Sequence, residues 1–225
     1  MGEKLEEINA KLTILVDNTI MELIQDSDMV KRTSGPHHNF IAEHGFSALI
    51  ETDDGKVLID TGVTGIAMKH NLDLMGVKMK DIDVIVFSHG HNDHTGGLDK
   101  VRGKIIAHPD SFHERCLSPK PGVKYDLTSP KPNPKKHKIE YHTEPVKLAK
   151  GVMTTGEVSR VHKWEELPVF KMVKDDKEQK DDLKDDMGIV INTKKGLVVI
   201  QGCSHAGIIN TVLAAKKVSG VDKVH

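Results

Sequence analysis

Between Phe87 and Gly97 the chain reads FSHGHNDHTGG. Four side chains of metal-ligand type, His89, His91, Asp93 and His94, fall within this short stretch. Histidines two residues apart in an extended chain point the same way, so the imidazoles of His89 and His91 can reach one cation. Asp93 and His94 follow where the chain turns into a helix and can face a second cation nearby. This donor set suits Zn²⁺ best, with Mn, Fe, Co or Mg as alternatives. Asp93 is also the candidate catalytic carboxylate, placed to orient a reacting water. Gly90, Gly96 and Gly97 allow tight backbone turns without Cβ clashes. An idle polar loop is the bland alternative, but these ligand types at a strand-to-helix turn point to a metal site.

The flanking elements must hold that turn. LTILVDN, 12–18, is short, β-branched and ends in Asp-Asn, which reads as a strand entering a turn. IMELIQDSDMVKR reads as a short helix, and TSGPHHNFIAEHG as a loop. FSALIETDDGKVLIDTG, 46–62, reads as a hairpin around Asp-Asp-Gly. A helix is expected over 66–79, and Val84 to Phe87 reads as a strand buried on both faces. The histidine cluster therefore sits where a strand ends, the usual place for ligands in α/β sheets. GGLDKVRG should open another helix and KIIAHPD another strand. The Pro- and Lys-rich stretch 118–138 reads as an irregular insertion, a solvated loop or a lid. KDDKEQKDDLKDD, 174–186, reads as an exposed loop or hairpin tip. GIVINTKKGLVVIQGCSH reads as a second hairpin, and AGIINTVLAAKKVSG as an amphipathic helix with Ile208, Ile209, Val212 and Leu213 as its apolar positions. VDKVH resembles the start of another buried strand, so the chain is expected to continue past His225 and some ligands to lie there.

The 225 residues suit a single domain, 1–225. Aromatics are only 4%, so Val, Ile, Leu, Met and Ala must build the core. A formal net charge of -1 gives no reason to expect nucleic acid or a membrane surface as partner. No apolar run approaches the roughly 18 residues of a membrane helix. The charged N-terminus is no signal peptide, and two distant cysteines, Cys116 and Cys203, make no disulfide framework. The expected location is the cytoplasm, and the oligomeric state is open.

SHGHNDHTGG resembles the His-x-His-x-Asp-His signature of the metallo-β-lactamase superfamily, and KVLIDTG resembles that superfamily's strand ending in an aspartate. The resemblance runs from about Leu12 to Gly220. It implies an α/β fold, an αββα sandwich of two mixed sheets with helices outside and a one- or two-metal site at one edge. Carried over, His89 and His91 would hold one ion and Asp93 and His94 another, with Asp60 hydrogen bonding behind them. The sequence departs from the common hydrolase pattern, because no Gly-Asp turn follows a late strand. GCSH stands there instead. His205 is the candidate further ligand; Cys203 is either a ligand or a small residue packed under the site. Asp185 and Asp186 are possible ligands or supporting groups, or merely the tail of a charge run. His108 could be a ligand, a substrate contact or a strand-end surface residue.

LTILVDN, EHGFSALIET, LIDTG, SHGHNDHTGG and GCSHAGIIN together are similar to a narrower group, some of whose members are pterin synthases of methanopterin biosynthesis. That resemblance implies a transferase condensing a dihydropterin pyrophosphate with a ribosyl aminobenzene phosphate. His44 and Arg160 would then be candidate contacts to a phosphorylated small-molecule substrate. A hydrolase of a phosphodiester, thioester or lactone through metal-bound hydroxide fits the same motif. A non-catalytic metal-binding protein is the third reading.

Overall fold

The structure, a computed structural model, describes residues 4–19, 40–129, 131–165 and 169–225. Strands are numbered in chain order. One sheet has six, lying in the order β1 (Ala10–Val16), β2 (Ser47–Thr52), β3 (Gly55–Ile59), β4 (Val84–Val86), β5 (Ile105–Ala107) and β8 (Ile139–Tyr141). The first three pair antiparallel, and β3 through β8 pair parallel. Parallel neighbours need a crossover, and α1 (Ile66–Leu74) supplies it between β3 and β4. A second sheet has four strands in the order β14 (Gly196–Ile200), β13 (Ile189–Thr193), β10 (Val152–Thr154) and β9 (Lys147–Ala149).

Side-chain alternation sets the layers. Leu49, Leu58 and Ile85 face α1 and pack with Met68 and Leu72. Their neighbours Ile50, Val57, Ile59, Val84 and Val86 face the other way, onto Val152, Ile189 and Ile191 of the second sheet. Val190 and Leu197 leave the far side of that sheet to meet Ala215 of α3 (Ile208–Ser219). Both faces of both sheets are thus covered, which is why these strands read as unbroken apolar runs. The order helix, sheet, sheet, helix is the expected αββα sandwich.

Several expectations differ from what is observed. The stretch 118–138 is not wholly irregular, and 174–186 is not simply an exposed tip. Both feed a third small sheet, in the order β12 (Lys177–Lys180), β11 (Phe170–Lys174), β6 (Glu114–Leu117) and β7 (Tyr125–Asp126). Its central pairing, β6 with β11, joins segments more than fifty residues apart, so no local pattern announces it. The helix expected from GGLDKVRG is only a 3₁₀ turn, Leu98–Lys100, after the four-residue α2 (Asn92–Thr95). On α3 the apolar Ile208, Ile209 and Leu213 are exposed, while Asn210, Thr211, Ala215 and Ser219 are buried. Hydrogen bonding explains the reversal. Asn210 Nδ2 donates to the carbonyls of Ala206 and His162, and Thr211 Oγ1 donates to the Gly207 carbonyl. The strand expected after Gly220 is represented by one parallel bridge between Val224 and Leu197. The helix read over IMELIQDSDMVKR, and residues 33–39 of the loop after it, lie outside the described residues. Among the described residues no helix is long and apolar enough to cross a membrane.

Leu58 is fully buried at the centre of the six-stranded sheet. Leu58→Ala should lower the unfolding free energy by about 3 kcal/mol in urea titrations, from lost transfer energy and the cavity left behind. A loss under about 1 kcal/mol would contradict the packing described.

Candidate metal centre

β3 and β4 run parallel and end side by side, so the residues just beyond them meet. Asp60, directly after β3, is fully buried in a left-handed conformation (φ 50). Its carboxylate accepts from the Ser88 backbone N–H at 2.7 Å, from Ser88 Oγ at 2.6 Å and from His94 Nδ1 at 2.7 Å. These bonds fix the imidazole tautomers. Ser88 has one hydroxyl proton and gives it to Asp60, so His89 Nδ1, 3.0 Å from Ser88 Oγ, must be the donor in that contact. His89 Nε2 is then left with a lone pair, and His94 turns its Nε2 away from Asp60 and toward Cys203.

Those nitrogens converge with others. His91 Nδ1 lies 3.1 Å from His89 Nε2 and 3.1 Å from His205 Nε2. Ligand atoms of His89, His91, His205 and Cys203 all fall within 4.8 Å of one another, and so do those of Asp93, His94 and Cys203. A tetrahedral ion about 2.05 Å from each nitrogen places neighbouring nitrogens about 3.3 Å apart. The two spacings from His91 are therefore close to what one divalent cation needs. In the adjoining set, His94 Nε2 is 3.4 Å from Asp93 Oδ2 and 3.2 Å from Cys203 Sγ. Phe170 closes one side, its ring centroid 5.3 Å from that of His91 and 4.9 Å from that of His205.

Electrostatics separate the two sets. Burial, reinforced by neighbouring rings, pushes the pKa values of His89 and His91 well below the ordinary value, and burial lowers that of His205 to about 4. All three are neutral, as metal ligands must be. Burial works against a charge on His94, yet the adjacent Asp60 raises its pKa well above the ordinary value. Burial likewise works against ionisation of Asp93, but His94, His91 and His44 outweigh it and hold the pKa at about 2.

Two acids from the supposed charge run hold the ligand loops from behind. Asp185, fully buried, accepts from the Gly90 N–H at 2.8 Å and from Arg115 Nη1 at 2.8 Å. Asp186 accepts from the Ala206 N–H at 2.8 Å, and burial raises its pKa to about 6. One thus anchors the loop carrying His89 and His91, and the other the loop carrying Cys203 and His205. Neither falls within the two groups of converging ligand atoms. Arg115 also pairs with Asp181 at 2.7 Å and is itself buried. Gly90 has no side chain because a Cβ would overlap Arg115 Nη1 and the Ser111 carbonyl. At Gly202 a Cβ would come 2.5 Å from Ser88 Oγ, so glycine there lets the two loops meet.

His44 is exposed, with Nε2 3.6 Å from Asp93 Oδ2, at the rim of the cluster. Arg160 donates to the Leu183 carbonyl at 3.0 Å, on the segment that carries Asp185 and Asp186. The surface reading of His108 is corrected. It is buried, bonded to Glu157 at 3.0 Å, and outside the converging groups. Cys203 is likewise not packed beneath the site but exposed beside both ligand sets. The insertion reaches the site too: Asn92 donates from its backbone to the Leu127 carbonyl at 2.9 Å and from its side chain to that of Ser129. Ser88, Arg115, Asp181 and Phe170 escape a reading of the sequence. Arg115 lies 66 and 70 residues from its partners, and nothing local marks the pairing. For Ser88 the signal was present, since a hydroxyl directly before the first histidine can bond its ring.

The αββα sandwich, with the two groups of converging donor atoms at its strand ends, is a metallo-β-lactamase fold, and the chain belongs to the metallo-β-lactamase superfamily, whose family model matches residues 41–190. Particular relatives narrow the group. An uncharacterized protein of Methanocaldococcus jannaschii is 37% identical over 222 residues, 95% of this chain and 77% of the relative. The 7,8-dihydropterin-6-methyl-4-(β-D-ribofuranosyl)-aminobenzene-5'-phosphate synthase of the same organism is 31% identical over 213 residues, 85% of this chain and 71% of the relative. The crystal structure of a metal-dependent hydrolase of the β-lactamase superfamily superposes with TM-score 0.72 at 23% identity, covering 95% of this chain and 73% of that one.

Removing Arg115 strands two buried carboxylates. Arg115→Met should lower stability by about 3–5 kcal/mol in chemical denaturation. A cost below about 1 kcal/mol would show that Asp181 and Asp185 do not depend on it.

Proposed function

We propose that this chain is a metal-dependent transferase that condenses a dihydropterin pyrophosphate with a ribosyl aminobenzene phosphate. The observation that carries the proposal is the similarity to the synthase along most of the chain. The converging donor sets support metal dependence. His89, His91 and His205 would hold one divalent cation, Zn²⁺ by ligand type, and Asp93 and His94 a second. When bound, such ions neutralise charge on a leaving pyrophosphate and act as a template. In the reaction a carbon or nitrogen of the aminobenzene bonds to the pterin methylene carbon. The bond to the pyrophosphate oxygen breaks, pyrophosphate leaves with the electron pair, and the aminobenzene loses a proton to solvent.

The chain's own residues supply the rest. Asp60 and Ser88 orient the imidazoles, and Asp185 and Asp186 hold the two loops. Asp93, held ionised by its histidine neighbours, orients a reacting group and is too weak a base to take its proton at neutral pH. His44 and Arg160 are the proposed contacts to substrate phosphates, His44 from the rim beside Asp93. A site of this kind suits a cytoplasmic enzyme using small phosphorylated metabolites.

A phosphodiester, thioester or lactone hydrolase would use the same residues, with Asp93 orienting water. Supplying the protein with the dihydropterin pyrophosphate and the ribosyl aminobenzene phosphate should release pyrophosphate. Turnover of a generic phosphodiester with no pyrophosphate release would sink the transferase reading. His89→Ala and His91→Ala should each lower bound metal at least about tenfold by elemental analysis. Unchanged metal content would contradict the ligand assignment.

A further inference from the structure

We propose that Cys203 is a ligand shared by the two cation positions, a thiolate bridge joining the three-histidine set to the Asp93–His94 set. The inference rests on the reading of the site as a two-ion centre and deepens it. Five observations carry it. Cys203 is the one residue that belongs to both groups of converging ligand atoms among the described residues. Its Sγ lies 3.2 Å from His94 Nε2, the nitrogen that Asp60 leaves facing the site. Ser204, which follows it, adopts a left-handed backbone (φ 55) that a non-glycine residue takes only when its surroundings impose it. The Ala206 N–H is pinned to Asp186, so Cys203 and His205 are presented together by one constrained loop. The buried His91 also keeps one ring nitrogen without a hydrogen-bond partner, while its other ring nitrogen lies in the cluster.

Chemistry favours the assignment. A thiol between two cations loses its proton to solvent and presents a soft, negatively charged donor with several lone pairs. It stands at the loop where a carboxylate was expected from the common hydrolase pattern. Unlike a carboxylate it can be oxidised or alkylated, so ion loading should control the reactivity of this thiol.

The test uses the unmutated full chain, because the only other cysteine, Cys116, is buried. In protein stripped by a chelator, one thiol should react rapidly with a disulfide reagent. Loading with Co²⁺ to saturation should slow that reaction by about tenfold or more and bring up a thiolate-to-cobalt charge-transfer band. Cys203→Ser should abolish the fast thiol and the band while His89 and His91 still bind cobalt, with the later equivalents weakened by about tenfold. Cobalt bound tightly with the thiol still fully reactive and no charge-transfer band would overturn the bridge and leave the proposed metalloenzyme standing. Failure of the unmutated chain to bind cobalt at all would overturn both.

Discussion

The site depends on one buried carboxylate. Asp60 sits at the end of β3, out of reach of water, and stays stable there only because three donors meet it within 2.7 Å. An unpaired buried charge would cost several kcal/mol, so the geometry around it is strongly enforced. Two of the donors belong to Ser88 and the third to His94, which bracket the histidine stretch. Satisfying Asp60 therefore folds that stretch into one shape and chooses the imidazole tautomers at the same time. Its left-handed φ is a local strain that these bonds hold in place.

The remaining support works on the same principle from the opposite side. Asp185 and Asp186 are adjacent in sequence but anchor different loops, one through Gly90 and the other through Ala206. Residues about 110 positions apart, such as His91 and His205, thus meet with their ring nitrogens 3.1 Å apart. Arg115 makes the arrangement tolerable by neutralising Asp185 and Asp181.

What was legible in the sequence follows from range. His89, His91, Asp93 and His94 are close in the chain, and their spacing alone implies convergence. The sandwich was legible through the apolar runs at 46–62, 84–87 and 189–200, because burial on both faces leaves a local signature. The small sheet was not, since β6 and β11 lie far apart and their exposed neighbours look like loops. Asp185 and Asp186 were legible as possible ligands or supporting groups, but the charge run left their role open, and it hid Asp181 altogether. A run of Asp and Lys reads as solvated unless the buried arginine 66 residues away is known. The face of α3 was misread for a related reason: hydrophobicity marked Ile208 and Ile209, whereas hydrogen bonds to Asn210 decided which side turned inward.

The two donor sets differ in charge, and that difference bears on chemistry. His89, His91 and His205 are neutral, so the only negative charge that set would gain is its share of the proposed Cys203 thiolate. Asp93 contributes a full negative charge to the adjoining set, and Asp60 adds another behind His94. An anionic leaving group would be drawn to the first position, whereas a neutral nucleophile meets less competition at the second. Such asymmetry suits a reaction in which one partner departs as an anion and the other arrives uncharged, and a pyrophosphate-displacing transfer has that form. Hydrolysis with an attacking hydroxide would place the anionic nucleophile against the cation as well. The polarity of the site therefore serves either reaction.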